Sequence, residues 1–121
     1  MQIKQLDAEY TYEYDLDIIN IKAKQDYSYK ESIDFDVGVF LDFNENNFPV
    51  NLEILSASKR LDIEKEFLIN PSGTVIIHIN ADLIELEIKF KNDGEEHALK
   101  YFNKHAENLK ITDSETQFAL V

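Results

Sequence analysis

The sequence predicts an α+β fold: a mostly antiparallel β-sheet in meander order, one short helix at about residues 62–69, and a candidate second helix near the C-terminus. Three observations carry this. Two-residue alternation recurs along the chain, from the segment at Tyr10, Tyr12 and Tyr14 to the segment at Leu86, Ile88 and Phe90, which is the period of a strand with one wet face. One stretch, Asp62 to Ile69, joins strong helix formers to an apolar pair four residues apart. Short turn signals separate the alternating segments, so sequence neighbours are expected to pair.

The elements follow in order. Tyr10, Tyr12 and Tyr14 share one face of a first strand, with Thr11 and Glu13 on the other. A turn at Asp15–Asp17 leads to a partner strand with Ile19, Ile21 and Ala23 on one face. Residues 25–36 read as a polar connector holding a short edge strand. Strands at 37–43 and 50–55 flank the turn at Asn44–Asn47, and Val50, Leu52 and Ile54 take one face of the second. Phe40 and Leu41 are adjacent, so at least one of them points away from the main core. Asp62 is expected to cap the helix, Ile63 and Phe67 to share its buried face, and Pro71 and Gly73 to stop it. Two strands follow, the second with Leu86, Ile88 and Phe90 inward and Glu85, Glu87, Lys89 and Lys91 in water.

Beyond Asn92 two readings compete. Asp93-Gly94 is a hairpin signal, and His97, Leu99 and Tyr101 would alternate on a returning strand. Against it, Asp93 and Glu96 form a capping box, with Ala98, Tyr101, Phe102, His105 and Leu109 as a helical stripe. The helix at about 95–109 is narrowly favoured. The apolar end of the chain predicts that part of the tail is packed.

Composition bounds the function. The 121 residues suit one domain, residues 1–121, and 44% hydrophobic with 30% charged residues describes a globular chain. With no cysteine there is no thiol nucleophile, disulfide framework or thiolate metal site. No export signal or bilayer-length apolar run is visible, so a cytoplasmic location is the default expectation. The net charge is −12, and residues 1–58 alone, with twelve acids and four Lys, carry −8 of it. Such a surface repels phosphate, so neither nucleic acid nor an anionic membrane is an expected partner, whereas a basic protein is electrostatically allowed.

Two blocks of residues are similar to a known family. Tyr14, Asp15, Asp17 and Ile21 fit its opening Tyr-Asp…Asp…Ile strand, and Val39, Asp42, Glu53, Ile54, Leu55, Ala57 and Ser58 fit its later strands and turn. Over about residues 10–61 the chain resembles the small prokaryotic domain-of-unknown-function family 2283, and the following segment to Gly73 is similar to its longer, archaeal-looking members. Asn51 stands where that family usually has Gly, and the turn uses Asn where acids are common. The resemblance implies a small antiparallel sheet and no established activity or catalytic residues. Relatives encoded beside small basic, toxin-like proteins imply an antitoxin-like or other partner-binding role.

Candidate sites are few. Asp42, Asn44, Asn46 and Glu53 stand at positions one, three, five and twelve of a calcium loop, but strands flank it and Asn47 replaces the central Gly, so a turn is the preferred reading. Asp15, Asp17, Asp34 and Asp36 would make a divalent-ion or acid–base cluster only if the fold gathered them. His97 and His105 lack zinc spacing, His78 lies opposite the apolar face of its strand, and Ser56 and Ser58 lack the glycines of a nucleophile elbow. Tyr10, Tyr12 and Tyr14, with Asp15 and Asp17, are the interface candidates, in competition with packing of the Tyr row on the protein's own core. The favoured reading is therefore a non-enzymatic, self-associating interaction module, a homodimer without a cofactor. The alternative is a small divalent-metal-binding or carboxylate-using enzyme.

Overall fold

The computed structural model describes residues 2–104 and 113–120. Among the described residues the chain is mostly β, and this corrects the α+β expectation: nine strands form one curled half-barrel sheet, with two very short helices. The strands are β1 (Gln2–Glu13), β2 (Ile18–Ala23), β3 (Tyr29–Asp36), β4 (Val39–Asn44), β5 (Pro49–Ile54), β6 (Ser72–Ile79), β7 (Leu83–Asn92), β8 (Glu95–Lys104) and β9 (Ser114–Leu120). Helices α1 (Ala57–Leu61) and α2 (Lys65–Leu68) lie between β5 and β6.

The sheet order is β3-β4-β5-β2-β1-β9-β6-β7-β8, so the expected meander is also corrected. Every neighbouring pair is antiparallel except β1 with β9, which is parallel. Two Greek keys meet at that parallel seam. In the first, residues 24–28 carry the chain from β2 past β5 and β4 to the outer strand β3. Three strand spacings are about 14 Å, within the roughly 17 Å that five extended residues span. Backbone bonds pin the crossing at both ends, Lys24 N–H to the Asp7 carbonyl and Glu45 N–H to the Ser28 carbonyl, each 2.9 Å. In the second key, β6, β7 and β8 are a meander and β9 returns to the inner side of β6.

Of the helix expected at 62–69 only Lys65–Leu68 is helical, and a separate helix, α1, precedes it, because the apolar residues of 57–68 do not share one helical stripe. Ala57 and Leu61, four apart, are buried, and so are Ile63, Phe67 and Leu68. Leu61 and Ile63 would point to nearly opposite sides of a continuous helix. The chain resolves this by turning at Asp62, which has left-handed backbone (φ 55°) and is the C-cap of α1 rather than an N-cap. The expected second helix is β8 over its first ten residues, and the remainder, 105–109, lies outside the described residues. Asp93 (φ 48°) and Gly94 (φ 81°) make the left-handed pair of a two-residue hairpin turn. His97, Leu99 and Tyr101 are half-buried between exposed neighbours, so the two-residue period prevails over the capping box.

The curl follows from the inward faces. Ile19, Ile21, Leu41, Phe43, Leu52, Ile54, Val75, Ile77, Leu86, Ile88, Phe90 and Phe118 are buried in one core. Tyr10 on β1 meets Phe90 on β7 edge to face, with ring centroids 5.8 Å apart. Those strands are three positions apart, about 14 Å on a flat sheet, so the sheet must bend to bring the rings together. The two helices lie against the concave side. Tyr10 Oη donates to the Leu68 carbonyl (2.7 Å), Asn92 Nδ2 donates to the Phe67 carbonyl (3.1 Å), and the Phe67 ring meets the His97 ring edge-on at 4.7 Å.

Candidate functional site

The densest polar constellation joins the β1–β2 turn to α1. Asp17 has left-handed backbone (φ 57°), which ends the turn and aims both its carbonyl and its carboxylate at the start of α1. Its carbonyl accepts from Ala57 N–H at 2.8 Å. Its carboxylate accepts from Ser58 N–H (3.0 Å), Ser58 Oγ–H (2.7 Å) and Tyr12 Oη–H (2.6 Å). Ser56, the residue before α1, is itself left-handed and makes no side-chain cap, so Asp17 satisfies two amides that a helix start leaves orphaned. Burial pushes the Asp17 carboxyl up, but the bonds from Tyr12 and Ser58, with the Lys65 charge, outweigh it and hold it below the ordinary range. The Tyr12 hydroxyl is raised by burial and by its bond to Asp17. This is a structural latch: every oxygen of Asp17 faces a donor from the same chain.

The other sequence candidates have the following places. Tyr10 and Tyr12 point to the concave side of β1 and pack against the core, whereas Tyr14 stands in the turn. Tyr14 Oη donates to Glu66 Oε1 (3.0 Å), and the Lys65 ammonium lies 4.5 Å from its ring centroid. Asp15 is exposed in the same turn. Asp34 and Asp36 stand on β3, three positions across the sheet from β2, so the fold does not bring them beside the Asp17 group.

At the other turn, Asn44 Oδ1 accepts from the Asn46 and Phe48 amides, each 3.0 Å, which is an Asx turn. Asn46 is exposed and Asn47 is left-handed (φ 63°). Asp42 accepts from Ser32 Oγ and from Asn51 Nδ2, the latter at 2.9 Å. Glu53 is up the hairpin opposite Phe40. Among the described residues no group of three or more His, Cys, Asp or Glu is placed to hold a metal ion.

His78 faces the convex side between Glu85 on β7 and Glu115 on β9. His97 borders a shallow cleft of about 420 Å³ with Ser58, Lys59, Asp62, Lys65 and Phe67. His105 lies outside the described residues. Cations and carboxylates alternate around that cleft, so it presents no single charge to a ligand.

The sequence reading passed over the edge of β8. The register with β7 runs unbroken from Asn92↔Glu95 to Leu83↔Lys104, without a bulge or a proline. A two-residue turn makes Asn92↔Glu95 a hydrogen-bonded pair, and such pairs alternate along the ladder. Glu96, Ala98, Lys100, Phe102 and Lys104 therefore direct their backbone N–H and C=O groups away from β7. No described strand pairs with that side. The opposite edge, β3, differs: its register shifts at both ends, between Tyr29 and Glu31 and between Asp34 and Asp36, and it carries three acids. Bulges and charge protect an edge from strand addition. The Asp93-Gly94 turn was the sequence signal for β8.

Comparison with family models matches residues 9–58 to the family described as protein of unknown function (DUF2283). The matched segment begins within β1 and ends at Ser58, so it is the first Greek key closed by the Asp17–Ser58 latch. No curated protein and no solved structure matches the chain.

Proposed function

For a chain whose residues 9–58 match the model of this family of unknown function, we propose the role of a non-enzymatic protein-interaction module that receives a partner strand along the outer edge of β8. The observation that supports it is the ten-residue, bulge-free edge, which offers five outward backbone positions to an added strand. Exposed Phe102, at 60% of its full accessibility, supplies an apolar anchor beside them. An antitoxin-like role is one form of this reading, with a basic protein as the partner that the net charge of −12 admits.

The test is site-specific photo-crosslinking in living cells. A crosslinker at Ala98 is expected to capture a protein chain, whereas one at Glu9, exposed on the central strand β1, is not. Adducts at Glu9 with none at Ala98 would move the interface away from the edge and overturn the reading.

A further inference from the structure

We infer that the occupant of the β8 edge is a second copy of this chain, its β8 antiparallel to the first about a two-fold axis at Lys100. This rests on the interaction-module reading above. Hydrogen-bonded antiparallel pairing of outward positions allows only registers in which Glu96, Ala98, Lys100, Phe102 and Lys104 meet one another. Centring on Lys100 sets Glu96 against Lys104 of the second copy, Ala98 against its Phe102, and Lys100 against its Lys100.

All of these contacts but the Lys100 pair are chemically matched. Two opposite-charge pairs close the ends of the ladder from Glu96 to Lys104, and two small-to-large apolar pairs cover the exposed Phe102 rings. On the concave side the same register places Leu99 against Tyr101 of the second copy, joining two half-buried apolar residues. The Lys100 pair at the axis is the unfavourable contact. It is eased because each Lys100 Nζ lies 3.3 Å from Glu85 Oε1 of its own chain. Glu96 is likewise 3.6 Å from Lys91 in its own chain, an exposed pair that is easily shared. Moving the register by two residues sets Glu96 against Phe102 in one direction and Lys100 against Phe102 in the other, and a shift of four that centres on Ala98 pairs Glu96 with Lys100 but leaves Phe102 uncovered, so charge pairing and burial of Phe102 together favour the alignment on Lys100. The strand also balances its charge, with Glu95 and Glu96 against Lys100 and Lys104, within a chain of net charge −12. A copy can therefore approach this edge with no net charge along the line of contact.

Because the chain has no cysteine, single-cysteine variants report the register directly. Opposed residues in a hydrogen-bonded pair have Cα atoms about 5.5 Å apart, within disulfide reach. Lys100→Cys is expected to form a disulfide dimer under mild oxidation at micromolar concentration. Ala98→Cys is not, since two Ala98 positions would be about 14 Å apart. In sedimentation velocity, Lys104→Glu is expected to weaken the dimer about tenfold, and the double variant Glu96→Lys with Lys104→Glu to restore it. A protein monomeric at all concentrations, or a dimer indifferent to Lys104→Glu, would overturn the inference. Photo-adducts at Ala98 that contain a different chain would leave the interaction-module reading standing without it.

Discussion

Asp17 accepts from Tyr12, from the Ser58 hydroxyl and from the Ala57 and Ser58 amides, although 40 residues separate it from α1. A distant carboxylate thus replaces the cap that left-handed Ser56 does not supply. Asp17→Ala is expected to cost about 2 kcal/mol in urea unfolding at neutral pH, the worth of charge-assisted bonds discounted for part exposure. The pH dependence has a definite sign. The folded carboxyl lies below its ordinary value, so its contribution is present above the unfolded value near ~3.9 and is lost as pH falls through the lower folded one. The stability gap between the wild type and Asp17→Asn should therefore close in acid, and a gap that persists there would assign the latch to shape alone. Gly73 is set by a different constraint. Its φ is 147°, and an added Cβ would lie 1.9 Å from the Lys89 carbonyl oxygen on β7. Since that oxygen belongs to a ladder rather than a flexible side chain, Gly73→Ala is expected to cost about 3 kcal/mol, read as a lowered Tm.

Alternation made the strand faces legible at the element scale. Val50, Leu52 and Ile54, then Val75, Ile77 and Ile79, then Leu86, Ile88 and Phe90 are all buried, as a two-residue period requires. What alternation does not encode is the partner of each strand, and hence the crossing at 24–28 and the insertion of β9 escaped a local reading. The helix expected at 62–69 is shortened to Lys65–Leu68, and α1 before it went unforeseen, because a propensity average cannot register that Leu61 and Ile63 demand opposite helical phases. The helix expected at 95–109 failed because Phe102 suggested a buried stripe, whereas it is exposed on an edge strand. Of the candidate site residues, Asp17 and Ser58 were named without their bond being foreseen, since no local spacing links positions 41 residues apart. The break between α1 and α2 is itself testable at Asp62, whose left-handed backbone strains any residue with a Cβ and strains Asp less than Ala. Asp62→Ala should lower stability by about 1 kcal/mol, whereas Asp62→Gly should match or exceed the wild type. Equal losses in the two variants would show that the Asp62 side chain, and not its φ, holds the break.

At the scale of the whole molecule, β9 is the seam between two Greek keys. It pairs with β1 on one side and β6 on the other, and it buries Ser114, Thr116 and Phe118 between them. With the sheet closed at its centre, association is left to the edges, and the edges differ in charge: β3 is acidic, while the carboxylates and lysines of β8 balance. Two approaching copies nevertheless each carry −12. Their mutual repulsion extends about 30 Å at 0.01 M salt and about 8 Å at 0.15 M. Adding salt over that range should therefore tighten a dimer formed through β8, since it removes the repulsion between whole molecules and leaves backbone and apolar contacts intact. The two Glu96–Lys104 rim pairs pull the other way, but they are exposed and weak beside twelve net charges on each copy. A basic partner on the acidic surface would show the opposite slope, losing association rate as salt rises. Sedimentation velocity across this range is expected to give a dissociation constant that falls severalfold. A constant that rises steadily instead would mean that opposite charges hold the copies together, and the interface would then have to lie away from the neutral edge of β8.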